Sequence, residues 1–129
     1  MDFRILALLV LAACSRVAPT TSRESNSRES TNPFAGNATA AKAGEGLFGG
    51  MNCDGCHGIG GLGFVGPNLM DGRWRFGGSD SAVFYSIKNG RAQGMPDYGR
   101  LLSDSTIWQL VAYIKSQPVP VDVATEAWP

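Results

Sequence analysis

The sequence predicts an all-α domain of three or more short helices joined by glycine-rich connections. Apolar residues recur at helical spacing in three places, and no stretch alternates apolar and polar residues as a strand would. Glycine supplies 17 of the 129 residues, about twice the ordinary share, which is typical of turns and of backbone lying close to another group. The length fits one domain rather than two.

The apolar spacing and the flanking caps place each helix. The first is predicted over residues 39–48, the second from the N-cap Ser79 to residue 88, and the third from residue 103 or 104 until Pro118. The apolar sides are predicted to be Ala43, Leu47 and Phe48 in the first helix, Val83, Phe84 and Ile87 in the second, and Ile107, Leu110, Val111 and Ile114 in the third.

Residues 1–13 are predicted to be a bacterial lipoprotein signal peptide. Residues 5–13 are all apolar; a membrane span needs about 20 such residues, whereas this length suits a secretory h-region. The stretch ends in Leu11-Ala12-Ala13-Cys14, the form of a lipobox. We expect Cys14 to be acylated and to anchor the mature chain at the extracytoplasmic face of a membrane, in the periplasm. An ordinary signal peptide with an incidental cysteine, or a short buried helix, is the alternative.

Residues 14–38 are predicted to be the lipidated N-terminus and a disordered tether. Polar residues dominate the segment, and the tetrapeptide Ser-Arg-Glu-Ser occurs twice. Such a composition cannot bury enough apolar surface to offset chain entropy. The folded domain is therefore predicted over residues 39–118, followed by a tail over 119–129. A core of about 80 residues is marginal without a staple.

That staple is indicated by Cys53-Asp54-Gly55-Cys56-His57, the Cys-x-x-Cys-His pattern of haem attachment. Two thiols at this spacing can add to the vinyl groups on one porphyrin edge, and the adjacent imidazole can reach the iron. A redox dithiol would favour a helix after a strand, and a zinc site would need a further carboxylate ligand. The pattern predicts one haem c, bound covalently through Cys53 and Cys56, with His57 on the iron.

The second iron ligand is predicted to be Met95, because the chain contains one histidine only. Gly94 allows the chain to approach the haem, and Pro96 fixes a non-helical loop that aims the thioether. Met51 is expected in the core and Met70 is expected to pack. Met70 as the ligand, or an open sixth position, are the alternatives.

These motifs resemble those of class I mono-haem c-type cytochromes, most closely the small cytochromes and fused cytochrome domains that serve terminal oxidases and periplasmic dehydrogenases. The resemblance covers residues 44–116 and is carried by the segments 46–48, 53–58, 66–69, 90–96 and 107–114. It implies the cytochrome c fold, with short helices wrapped around one covalent haem, and redox proteins as partners. One departure is that Phe48 stands five residues before Cys53, where many relatives have four.

The resemblance also implies roles for residues around the haem. The carbonyl of Pro67 is expected to accept a hydrogen bond from Nδ1 of His57, which orients the ring. The expected donors to the haem propionates are Trp74 and Arg91, with Arg73 and Tyr98 as further candidates.

The function expected from His and Met ligation is electron transfer by Fe(II)/Fe(III) cycling, with no substrate bound to the iron and no enzymatic reaction. The formal net charge is zero, which argues against nucleic-acid binding and against docking by overall charge. Docking should instead use the haem edge and the loop 58–65, with Phe64 and Val65 as candidates. Two alternatives are a haem enzyme with a vacant or labile sixth site, and a gas sensor or docking subunit.

The substitution Cys14→Ser tests the lipid anchor. We expect the variant to enter the soluble periplasmic fraction, or to stay unprocessed, without a change in its absorption spectrum, because the anchor and the haem pattern are separate. Mass spectrometry of the mature N-terminus from the native host checks this. An unmodified N-terminus that begins at any residue other than Cys14 would contradict the prediction.

Overall fold

The computed structural model describes residues 31–119, and four α-helices make up most of its regular structure. They run over Ala38–Gly50 (α1), Asp54–His57 (α2), Asp80–Asn89 (α3) and Asp104–Ser116 (α4), and a 3₁₀ turn at Ile59–Gly61 follows α2. Within these residues no strand forms, and the β-bridge between Arg91 and Met95 stands alone. The prediction of an all-α domain is confirmed.

Three sequence predictions fall wholly or partly on residues that the structure does not describe. The signal peptide with Cys14, the tether as far as residue 30 and the tail from residue 120 lie outside the described residues. Among residues 31–119, no helix combines the length and the apolar character that crossing a membrane requires.

Each of the three longer helices begins at a polar N-cap. The side chains of Asn37, Ser79 and Ser103 each accept a hydrogen bond from the backbone N–H three residues further on. A cap of this kind stabilises a helix by about 1 kcal/mol. The predicted N-cap Ser79 and the predicted start of the third helix at residue 103 or 104 are confirmed. The first helix is slightly longer than predicted, since it starts at residue 38 and ends at residue 50.

α1 and α4 are in close contact at Gly44. A Cβ atom at this position would clash with the carbonyl oxygen of Gln109 and would stand 2.8 Å from Cβ of Tyr113. Four residues further along α1, the ring of Phe48 lies against that of Tyr113 with centroids 5.5 Å apart. The missing side chain therefore allows the two backbones to approach closely.

The buried side of α1 differs from the predicted one. The structure buries Ala40, Gly44 and Phe48, whereas Ala43 is exposed and Leu47 is half-buried. The prediction of Phe48 as buried is confirmed, but the rest of the predicted apolar side lies one position too early along the helix. The reason is that Gly44 makes the contact with α4, and a glycine has no apolar side chain that would mark it in the sequence.

The core around α4 follows the predicted pattern. All predicted apolar residues of α3 and α4 are buried, and Ile107 and Val111 are fully inaccessible. Trp108 stacks on Phe84 with ring centroids 4.1 Å apart, which joins α3 to α4. Met70 is buried in this core as expected, but the prediction for Met51 is wrong, because Met51 is only half-buried and lies outside the buried cluster.

The packed part of the chain begins before residue 39. Asn32 is buried, and its side-chain amide donates to the carbonyl of Trp108 at 3.1 Å while its oxygen accepts from the N–H of Phe34. Phe34 packs against the core, and Asn37 then caps α1. The expectation of a disordered tether through residue 38 therefore does not hold for residues 32–37, because hydrogen bonds and one aromatic side chain fasten this segment to α4.

Substituting Gly44 tests the α1–α4 contact. Gly44→Ala should lower the free energy of unfolding by about 3 kcal/mol, because the added methyl group forces the helix backbones apart. Gly46→Ala is the matched control: its Cβ would meet no atom within 4 Å, and it should raise the stability by about 0.5–1 kcal/mol through helix propensity. Urea denaturation measures both, and equal effects at the two positions would contradict this packing.

Candidate functional site

A cavity of about 590 Å³ lies between the helices. α1 and α3 both pack on α4, and the cavity is lined by Phe48 from α1, Val83 and Ile87 from α3, and Leu110 and Ile114 from α4. Its volume falls in the range of about 300–1,000 Å³ that small-molecule and cofactor sites occupy. The core residues of the domain are therefore also the walls of its site.

The cysteine pair and the histidine line one part of this cavity. Cys53 stands at the N-cap of α2, and the N–H of His57 donates to the Cys53 carbonyl at 2.8 Å, so one helical turn brings Cys53, Cys56 and His57 together. Cys53 is half-buried, Cys56 is exposed and His57 is buried.

The ring of His57 is oriented by a single hydrogen bond. Its Nδ1 lies 2.9 Å from the carbonyl oxygen of Pro67, and the loop that carries Pro67 is fixed by the N–H of Gly66, which donates to the carbonyl of Cys56 at 2.8 Å. A carbonyl oxygen can only accept, so Nδ1 carries the proton. In the neutral imidazole, which is the form that binds a metal, Nε2 is then the nitrogen without a proton.

The alternatives to haem attachment lose support at this site. Burial, followed by the charge of Asp54, raises the pKa of Cys53 to about 11, whereas a reactive redox dithiol has a lowered thiol pKa. No group of three or more His, Cys, Asp or Glu side chains in residues 31–119 is arranged to hold a metal ion. A zinc site completed by a carboxylate is therefore absent from the described part of the chain.

Met95 lies on a tight turn at the cavity wall. Of Met51, Met70 and Met95, only Met95 lines this cavity, and it is half-buried there. The N–H of Arg91 donates to the carbonyl of Met95 at 2.9 Å, and the N–H of Gly94 donates back to the carbonyl of Arg91 at 3.1 Å.

Gly90 makes that turn possible. It follows α3 with φ 67° and ψ −172°, a conformation that is essentially confined to glycine. A Cβ atom there would stand 2.5 Å from the carbonyl oxygen of Met95. The N–H groups of Tyr98 and Gly99 then donate to the carbonyls of Ile87 and Lys88, which ties the chain beyond the turn back to α3.

The charged residues that line the cavity are all arginines: Arg73, Arg75 and Arg91. The Nε atoms of Arg73 and Arg91 are buried and have no hydrogen-bond partner among the described residues. Because a buried donor without an acceptor costs about 1–3 kcal/mol, and more when it is charged, the two atoms favour an anionic group in the cavity.

The other candidate donors differ in what holds them. Trp74 lines the cavity, and the ammonium of Lys115 lies 5.3 Å from its ring centroid. Tyr98 also lines the cavity, but its hydroxyl donates to the carbonyl of Met51 at 3.3 Å. Burial raises the pKa of Tyr98, so the hydroxyl keeps its proton for this bond. The structure thus gives Tyr98 a protein partner in place of an anion.

Phe64 and Val65 lie at the cavity edge and are largely exposed, with 79% and 75% of their surface accessible. Ile59 and Leu62 of the same loop are exposed at 87% and 68%. We call these four residues the apolar rim. The structure therefore places the two predicted residues beside the cavity, within a larger apolar surface than the sequence suggested.

Two neighbours of the site were not predicted from sequence. Ser86 accepts a hydrogen bond from Nη2 of Arg91 at 2.5 Å, and the guanidinium of Arg91 lies 4.1 Å from the ring centroid of Phe76. Ser86 precedes Arg91 by five residues and Phe76 precedes it by fifteen, spacings that no helix or turn pattern singles out, and the contacts form where the chain turns back after α3.

Fold and site together define a c-type cytochrome, and solved structures of that class share the fold. Cytochrome cL from Hyphomicrobium denitrificans aligns with a TM-score of 0.63 at 31% identity, covering 72% of this chain and 56% of that one. Cytochrome cL from Methylophaga aminisulfidivorans aligns with a TM-score of 0.62, also at 31% identity, covering 67% and 58%.

Residues 39–114 match the family of cytochrome c oxidase, cbb3-type, subunit III, and the chain belongs to this family. The cbb3-type oxidase subunit FixP of Azorhizobium caulinodans is 40% identical over 82 residues, 61% of this chain and 28% of FixP. The subunit CcoP of Azospirillum brasilense is 34% identical over 92 residues, 66% of this chain and 31% of CcoP. The chain spans less than a third of the length of these relatives.

Membership of this class implies a haem c cofactor, and the residues present fit that group. The cavity offers two thiols beside an unprotonated imidazole nitrogen, an apolar wall from three helices, and two buried arginine nitrogens without partners, suited to carboxylates. As a cytochrome c domain, the chain is classed with electron carriers rather than with enzymes.

Proposed function

We propose that this protein is a membrane-tethered mono-haem c-type cytochrome that passes electrons between redox proteins. The observation that carries the proposal is the shared cavity of Cys53, Cys56, His57 and Met95, in which the Pro67 carbonyl directs Nε2 of His57 to be the free nitrogen. When bound, the haem supplies one-electron Fe(II)/Fe(III) chemistry.

These four residues of the cavity are proposed to hold the haem. Cys53 and Cys56 would hold one haem through thioether bonds, and His57 and Met95 would supply the nitrogen and the sulfur that bind its iron. A thioether ligand favours the ferrous state and raises the reduction potential, and so does burial away from water. With both iron ligands supplied by the protein, no substrate would bind the iron, which disfavours a haem enzyme or a gas sensor.

The cationic side of the cavity is proposed to bind the propionates of the haem. Arg73 and Arg91 are the primary donors, because both present a buried Nε without a partner. Trp74 lines the same cavity and completes the set. Arg73, which the sequence offered only as a further candidate, is therefore proposed beside Arg91 as a main donor.

The partners are proposed to be redox proteins of the terminal oxidase or periplasmic dehydrogenase type. Two of the similar proteins are subunits of cbb3-type oxidases, which supports the first class. The apolar rim is the proposed docking face, since it borders the cavity and residues 55–70 contain no Asp, Glu, Lys or Arg. Its exposed apolar area is typical of interaction sites.

The location is proposed to be the periplasmic face of a membrane, with a lipid on Cys14. Because residues 32–37 are fastened to α4, the tether would extend from Cys14 to about residue 31. Confinement by such a tether raises the effective concentration of the cytochrome at a membrane-bound partner. A free shuttle would gain nothing from it.

The substitution Met95→Ala tests the axial ligand. The ferric full-length protein should show the weak near-infrared charge-transfer band of sulfur-to-iron ligation, and Met95→Ala should lose it completely and lower the reduction potential. Met51→Ala is the matched control, since Met51 does not line the cavity, and it should keep both properties. Persistence of the band in Met95→Ala would transfer the assignment to Met70.

A further inference from the structure

Arg91 belongs to two structural units at once. Its backbone closes the turn that carries Met95. The N–H of Arg91 donates to the carbonyl of Met95 at 2.9 Å, and the carbonyl of Arg91 accepts from the N–H of Gly94 at 3.1 Å. Its side chain leaves the turn and is fixed to α3, where Nη2 donates to Oγ of Ser86 at 2.5 Å. Ser86 in turn donates to the carbonyl of Ala82 at 2.8 Å.

The guanidinium of Arg91 is also held from another direction. It lies 4.1 Å from the ring centroid of Phe76, a cation–π distance. Its Nε is the remaining donor that is buried without a partner. A carboxylate in the cavity would accept a hydrogen bond from this Nε. Because the backbone of Arg91 closes the turn of Met95, holding the Arg91 side chain in place would also hold that turn.

Arg73 provides the internal comparison. Its Nε is buried and without a partner like that of Arg91, and it lines the same cavity. The backbone N–H of Arg73 donates to Oδ1 of Asp71 at 2.9 Å, in a loop that is separate from the turn of Met95. Loss of either arginine removes one positive charge, but only one of them is built into the methionine turn.

We propose that Arg91 is a positioning residue for Met95: its guanidinium, held by Ser86 and Phe76 and completed by a haem propionate, locks the 91–95 turn and so strengthens methionine ligation. Binding of the anion and binding of the thioether are then coupled through one residue. This inference rests on the proposed function, specifically on haem binding and on Met95 as a ligand.

The experiment measures the apparent association constant of imidazole, which competes with Met95 for the iron of the ferric full-length protein. Arg91→Gln should raise the apparent association constant for imidazole about tenfold, the equivalent of one charge-assisted hydrogen bond. Ser86→Ala, which removes only the support of Arg91, should raise it about threefold. Lys42→Gln, at an exposed residue of α1 that does not line the cavity, is the charge-loss control and should stay within about twofold of the unmodified protein. Arg73→Gln removes a proposed propionate donor outside the methionine turn and should raise the constant less than Arg91→Gln does.

The outcomes separate this proposal from the one on which it rests. An equal rise in Arg91→Gln and Arg73→Gln, or no rise in Arg91→Gln, overturns the coupling while Met95 ligation stands. Absence of the sulfur-to-iron band from the unmodified protein refutes Met95 ligation itself and this proposal with it. If Arg91→Gln yields no folded protein, a rise in Ser86→Ala that exceeds those in Arg73→Gln and Lys42→Gln supports the coupling, and any other result overturns it.

Discussion

Beside the packed core around α4, the helices of this domain leave a cavity of about 590 Å³, and the other features of the site depend on that arrangement. α1 and α3 both rest on α4, and the apolar residues that face the cavity belong to the same cluster that holds the helices together. Because protein interiors are close-packed and a small domain has little stability to spare, a cavity of this size needs a bound group to fill it. The cysteine pair supplies the means to keep such a group in place covalently.

The loops around the cavity serve mainly to place a few polar atoms. The carbonyl of Pro67 sets the tautomer of His57, and Gly90 sets the turn from which Met95 reaches the wall. The arginines bring positive charge into the cavity although the whole chain has a formal net charge of zero. Local placement of charge, and not the overall balance, therefore decides which kind of group this interior accepts.

The parts of the fold that depend on neighbouring residues could be predicted from the sequence. The N-caps Ser79 and Ser103 and the apolar stripe of α4 are local signals, and the Cys-x-x-Cys-His pattern is a local chemical unit. The features that were missed are contacts between distant residues. Asn32 reaches across 76 positions to Trp108, and the helix contact at Gly44 depends on an absent side chain. The burial of the Nε atoms of Arg73 and Arg91 follows from the folded loops and has no signature in spacing.

Cys53 and Cys56 are proposed to hold one haem in this cavity, and the fold is proposed to require it. The most direct measurement is the intact mass of the purified full-length protein under denaturing conditions. We expect one species heavier by a single haem than the mature chain with its proposed lipid, and a Cys53→Ala, Cys56→Ala variant that lacks the haem mass and has lost most of its helical circular dichroism. A protein without the haem mass but with native helical content and a cooperative thermal transition would contradict this.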